Sequence, residues 1–162
     1  MNVNSRKIGF LASIPQASID LDSDTLAQRC KFNFSYFCKQ PAGQSFDQWD
    51  AGQLVKLLDK LKEYSVMPLS HWQNQRVGKS GTVLAIYGAF PKKSDFEHPK
   101  HVPHQAQWGR FRLEQSVRLI GFTLPQEFHE KMHNCGSRFD CNTFYVVFLD
   151  AHHCFYKTGE AK

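Results

Sequence analysis

The sequence predicts an α+β fold: a twisted, mainly antiparallel sheet with one long helix packed on one face. Three stretches carry that prediction. Trp108-Gly109-Arg110-Phe111-Arg112-Leu113 alternates in polarity and leads into Val117-Arg118-Leu119-Ile120-Gly121-Phe122, which together read as a β-hairpin. Leu54, Leu57, Leu58, Leu61 and Tyr64 recur at helical spacing and define a buried stripe. Asn142 to Leu149 is apolar on both faces, the pattern of a central strand.

Residues 1–29 lack strong periodicity, and Ser23-Asp24-Thr25 offers a cap for a short helical turn through Arg29. Lys31 to Phe37 alternates, with Phe32, Phe34 and Tyr36 on one side, and predicts a strand that Pro41-Ala42-Gly43 ends. The helix is expected over 45–64. Ser45 and Gln48 have capping-box spacing, Asp47 and Asp50 suit its N-terminus, Lys60 and Lys62 suit its end, and Pro68 stops it. Residues 69–81 read as a loop, and Thr82 to Tyr87 as a strand. Residues 88–106 are irregular, with three prolines and three histidines. Pro125 to Asn134 reads as a short helix closed by Gly136. Asp150-Ala151-His152-His153 is a turn, after which Cys154-Phe155-Tyr156 resumes extended chain.

The arginine hairpin carries the chemistry. With Glu114-Gln115-Ser116 as the turn, Leu113 faces Val117, Phe111 faces Leu119 and Gly109 faces Gly121 on an apolar side. The same register sets Arg112 opposite Arg118 on the other side, where like charges repel. An anion between them relieves the repulsion, and phosphate suits the guanidinium fork. A solvated face on which the arginines splay apart fits the same pattern. Because each arginine sits in a like-charge contact, Arg112→Ala and Arg118→Ala are both expected to leave the fold intact.

The chain has 162 residues, a length that suggests one domain. Its formal net charge is +5, and its pI is near 9.0, which is compatible with a nucleic-acid partner. No apolar run reaches membrane length, and the apolar core Ile8-Gly9-Phe10-Leu11-Ala12 is too short for a secretory signal. Five cysteines, an odd number without framework spacing, fit a reducing cytosol.

The order of strand, helix and three or four antiparallel C-terminal strands resembles the RelE/ParE superfamily of small bacterial toxins. Residues 31–64 look like its opening strand and helix. Residues 107–113 look like its basic strand, Val117-Arg118-Leu119 like the next, and Phe144 to Tyr156 like the closing strand with its turn and late Tyr. The resemblance implies a RelE-like core over 31–157, an N-terminal extension over 1–30, and a helical insertion from Pro125 to Cys141. It also implies a cytoplasmic, toxin-like endoribonuclease paired with a protein antitoxin, acting on RNA, including messenger RNA on the ribosome.

Ribonucleases of this kind, the resemblance implies, use no metal or cofactor: the ribose hydroxyl attacks its own phosphate. That step needs a base, cations at the phosphate and an acid for the leaving oxygen. Arg110, Arg112 and Arg118 are the candidate phosphate contacts, and one of His152 and His153 is the candidate base or acid. Tyr156 is a candidate for proton transfer or base stacking. Trp108 shares the face of Arg110 and Arg112 and is a candidate for stacking on a nucleobase or for the core. His129, His133, Cys135 and Cys141 match no standard zinc spacing, so no metal is expected there. His98, His101 and His104 read as an irregular surface loop. The alternatives are a non-catalytic nucleic-acid- or protein-binding module using the basic face, and a ParE-like inhibitor that acts through protein contacts. Convergence of His152, His153 and Tyr156 on the arginine face favours catalysis; divergence favours binding.

Overall fold

The computed structural model describes residues 4–15, 18–20 and 25–157. The expected caps Ser23 and Asp24 lie outside these residues. The fold is α+β around a five-stranded sheet. Its strands are β1 (Lys31–Asn33), β4 (Leu84–Gly88), β5 (Gln107–Glu114), β6 (Val117–Thr123) and β7 (Thr143–Asp150), in the order β1-β7-β6-β5-β4. A separate ribbon pairs β2 (Arg76–Val77) with β3 (Gly81–Thr82). The sheet is mixed: β1 runs parallel to β7, and the other three pairings are antiparallel.

The strand expected over Lys31 to Phe37 ends at Asn33, whose side-chain oxygen accepts from the Ser35 backbone N–H and turns the chain. Phe32 and Phe34 then pack on one side of the sheet and Tyr36 on the other. Beyond the turn the backbone still follows β7, with Cys38 N–H donating to Val147 O and Gln44 N–H to Leu149 O.

The single helix over 45–64 becomes two pieces. Ser45 and Gln48 form the expected capping box, but on a 3-10 turn, Phe46–Gln48. A second box, Asp50 with Gln53, starts α2 (Ala51–Tyr64). Leu57 and Tyr64 are buried against the sheet and Leu54 and Leu61 flank them, while Leu58 is 63% exposed. Each residue turns the helix by ~100°, so with Leu57 facing the sheet its neighbour points aside.

Two other helices were not expected. α1 (Ser5–Ser13) starts at Asn4, whose side chain accepts from Arg6 N–H, and it buries no residue. α3 (Leu69–Asn74) occupies the expected loop. The helix before it stops at Tyr64 with Ser65 as its cap, four residues ahead of the expected stop at Pro68, and Pro68 instead stands in extended conformation as the N-cap of α3. Leu69 and Trp72 are buried, and the Trp72 indole donates to Tyr64 O at 2.8 Å. The expected helix over Pro125 to Asn134 is only a 3-10 turn, Gln126–Phe128. Glu130 N–H donates to Phe139 O and Phe139 N–H to Lys131 O, so this segment closes as a turned loop and the ladder replaces helical bonds.

Both sheet faces are covered. Phe111, Leu119, Phe144 and Leu149 pack with α2 and α3, and Tyr64 stacks on Phe111 with ring centroids 4.9 Å apart. Trp108, Phe122, Phe148 and Phe155 form a second core under the 88–106 segment and the C-terminal chain. Gly109 and Gly121 are cross-strand neighbours, as expected. What crowds Gly121 is the adjacent strand: a Cβ there would run into Tyr145 O and the Phe144 ring, and no helix atom stands among the nearest. No helix among the described residues is long and apolar enough to cross a membrane.

Candidate anion-binding active site

The hairpin register is the expected one through its middle. Gly109 pairs with Gly121, Phe111 with Leu119, and Arg112 with Arg118. The turn differs. Glu114 pairs with Val117, and the ladder shifts between Arg112 and Glu114. The expected pairing of Leu113 with Val117 is therefore replaced by a bulge, which leaves Leu113 buried in the helical-face core.

Arg110, Arg112 and Arg118 stand on the face opposite α2 and line one cleft of about 610 Å³, together with Tyr87, Asp150, His153, Tyr156 and Lys157. Backbone groups orient two of the three arginines. Arg110 Nη1 donates to Thr82 O at 3.0 Å. Arg118 is 5% exposed, and its Nη1 donates to the Gln115 and Val117 carbonyls at 2.6 and 2.8 Å. Arg112 lies over Gly81, where a Cβ would come within 3.0 Å of its Nη2. Its Nε is buried with no hydrogen-bond partner among the described residues.

None of the three arginines has a carboxylate within ion-pair distance among the described residues. Asp150, the acid in the cleft, is buried, and its oxygens accept from the His152, Cys154 and Phe155 backbone N–H groups. It is the register partner of Arg118, but much of its hydrogen-bonding capacity goes to shaping the turn. The electrostatic consequence appears at Arg118. Burial, and then the charges of Arg112 and Arg110, push its guanidinium down to about 10 from 12.5. It stays protonated at neutral pH, and an anion in the cleft stabilises that charge.

The histidine pair splits. His153 lines the cleft and His152 does not. His153 has φ 59, a left-handed conformation uncommon for a residue with a Cβ, held by the Asp150-centred turn. Burial first, and then the Arg118 charge, lower its pKa below the ordinary 6.5, so the ring is neutral at pH 7 and able to accept a proton. Tyr156 is 47% exposed and stacks on Tyr87, with centroids 4.5 Å apart and planes 12° from parallel. The chain from Cys154 to Tyr156 is bent rather than extended, and Phe155 anchors it in the second core.

Trp108 lies on the arginine face but is 1% exposed, packed against Phe90, His98 and Phe148. Its core reading is the one that matches this burial; a base has no access to the ring as it stands. Tyr87 and Lys157 are cleft residues that the sequence reading missed. Alternation along β4 was the available signal for Tyr87, and Lys157 carried none.

The other clusters are separate. His133 Nδ1 lies 3.0 Å from Cys135 Sγ, and the Ser137 backbone amide and His133 hold that thiol down to about 7. The Cys141 N–H approaches His129 Nδ1 at 3.4 Å. Among the described residues no group of three or more His, Cys, Asp or Glu is arranged to hold a metal. His98 packs on Trp108, and His101 stacks on Tyr36. A larger cavity of about 960 Å³ opens at the other end of the sheet, but its charges oppose one another. Lys31 pairs with Asp140 there, and Arg138 stands among Glu127 and Glu130. No protein-family model, curated protein or solved structure matches this chain.

Proposed function

We propose that the chain is a metal-independent endoribonuclease of the RelE-like toxin kind, with the arginine cleft as its active site. The observation that carries this reading is the convergence of three unpaired arginines with His153 and Tyr156 in one cleft. A cluster of uncompensated guanidinium groups suits a phosphodiester, and a neutral imidazole beside it suits proton abstraction.

The ribose 2′-hydroxyl gives its proton to His153 and attacks the adjacent phosphorus. The P–O5′ bond breaks, Tyr156 gives its phenol proton to the departing 5′ oxygen, and the proton held on His153 passes through solvent to the phenolate, restoring both groups. The products are a 2′,3′-cyclic phosphate and a 5′-hydroxyl end. Arg110 and Arg112 meet the charge that builds on the phosphoryl oxygens, and one such donor is typically worth ~100-fold or more in rate. The cytoplasm, the ribosome and a protein antitoxin complete the reading as the setting and partners of such a toxin. His152, which the sequence reading paired with His153, stays out of the cleft; that favours, as a second reading, a binding module without catalysis.

Incubating the chain with free and ribosome-bound RNA, with and without a chelator, separates the two. The expected result is cleavage that survives the chelator, fails when one 2′-hydroxyl at the cut site is removed, and is lost in His153→Ala. No cleavage of either RNA by the wild type overturns the enzymatic reading.

A further inference from the structure

The segment 64–94 contains no Asp or Glu, yet holds Arg76, Lys79, Lys92 and Lys93. All four are exposed, and none lies in an ion pair among the described residues. The fold brings two stretches of this segment, 76–82 and 92–93, to the arginine cleft. In the first, the β2–β3 ribbon that carries Arg76 and Lys79 abuts the cleft arginines. Arg110 donates to Thr82 O, and the absence of a side chain at Gly81 lets the Arg112 guanidinium lie against the ribbon. At the C-terminal side, the Lys157 backbone N–H donates to Lys93 O at 3.3 Å while its ammonium neutralises Asp95 at 2.6 Å, which sets the Lys92-Lys93 pair beside a residue that lines the cleft. Between them, β4 contributes Tyr87, stacked under the half-exposed Tyr156.

We propose that these cations continue the cleft into a track for a single strand of RNA, with Arg76 and Lys79 holding phosphates on one side of the central one and Lys92 and Lys93 on the other. The inference rests on the ribonuclease reading for the identity of the polymer and deepens it: the substrate is a strand several nucleotides long. A lone phosphate needs only the three arginines, and cations on both flanks have no role toward it. The strand is single because the outer face of Tyr156 offers stacking only to a base released from a duplex, the contact that proteins binding single strands use on each base.

The test uses 2′-O-methyl oligouridylates of two, four and eight nucleotides, whose blocked hydroxyl prevents cleavage, and measures Kd against salt concentration. Affinity is expected to rise with length. Arg76→Ala/Lys79→Ala and Lys92→Ala/Lys93→Ala should each weaken octamer binding at least tenfold and leave the dinucleotide unchanged. Each pair should also lower the salt slope by about 1.4, at about 0.7 for each phosphate contact on a single strand. The corresponding glutamine variants repeat the measurement with side chains of greater length. An octamer that binds no tighter than the dinucleotide overturns the track, as do wild-type affinity and slope in both double variants, or equal binding of a duplex. Length-dependent binding without cleavage of natural RNA overturns the ribonuclease reading and leaves the track; cleavage without length dependence does the reverse.

Discussion

Arg112 faces Arg118 directly across the β5–β6 ladder, and among the described residues no carboxylate pairs with either. The two are held differently. Arg118 ties the hairpin turn together through the Gln115 and Val117 carbonyls, whereas Arg112 has a buried Nε without a partner. The expectation that both alanine variants leave the fold intact therefore divides. Arg112→Ala relieves a like-charge contact and should hold or raise the denaturation midpoint of the free protein. Arg118→Ala strips bonds from the turn and should cost about 1–3 kcal/mol. Urea unfolding of the two variants side by side checks the order; equal midpoints would remove the structural role of Arg118.

Phosphate or a non-cleavable oligonucleotide should stabilise the chain by binding the folded state alone, by ~2.7 kcal/mol at a hundredfold excess over Kd. The stabilisation should shrink in Arg112→Ala and fade with added salt. Thermal melting with and without ligand reads both effects.

The pH dependence follows from His153. Its pKa is lowered by burial and the Arg118 charge, so the folded state binds fewer protons than the unfolded state just below 6.5. The neutral ring thus contributes stability that is present above pH 6.5 and is lost as pH falls through the folded value. Cleavage under non-saturating substrate should rise along a limb centred below 6.5, and that limb should vanish in His153→Gln. A limb centred above 6.5 would count against His153 as the base.

Gly121→Ala places a methyl group against Tyr145 O and the Phe144 ring, both in the packed interior. Overpacking of this kind typically costs about 1–3 kcal/mol, and a backbone oxygen yields less readily than a side chain. The variant should melt well below the wild type, and a Phe144→Leu background should recover part of the loss.

Adjacent leucines on α2 should behave oppositely. Leu57→Ala empties a buried site and should cost about 2–5 kcal/mol. Leu58→Ala alters a largely exposed side chain and should stay within about 0.5 kcal/mol. Denaturant midpoints of the pair measure the orientation of the helix directly.

The sequence by itself determined what rests on local period. Alternation through Trp108 to Phe122 placed Arg110, Arg112 and Arg118 on one face and paired Arg112 with Arg118, because a one-residue slip would expose Phe111 and Leu119. The apolar run Asn142 to Leu149 marked a central strand, since only a doubly covered strand lacks a polar side. Tertiary structure alone decided the rest. The parallel pairing of β1 with β7 and the short helix at Leu69–Asn74 depend on partners distant in the chain, such as Asn142, whose side chain accepts from Leu69 N–H. The choice of Leu57 over Leu58 depends on how the helix rolls on the sheet, which its own spacing leaves open. The cleft is the clearest case. Tyr87, His153, Tyr156 and Lys157 meet the arginines because Asp150 binds three backbone N–H groups and folds the C-terminal chain back over β4, a set of contacts between elements that no local pattern encodes.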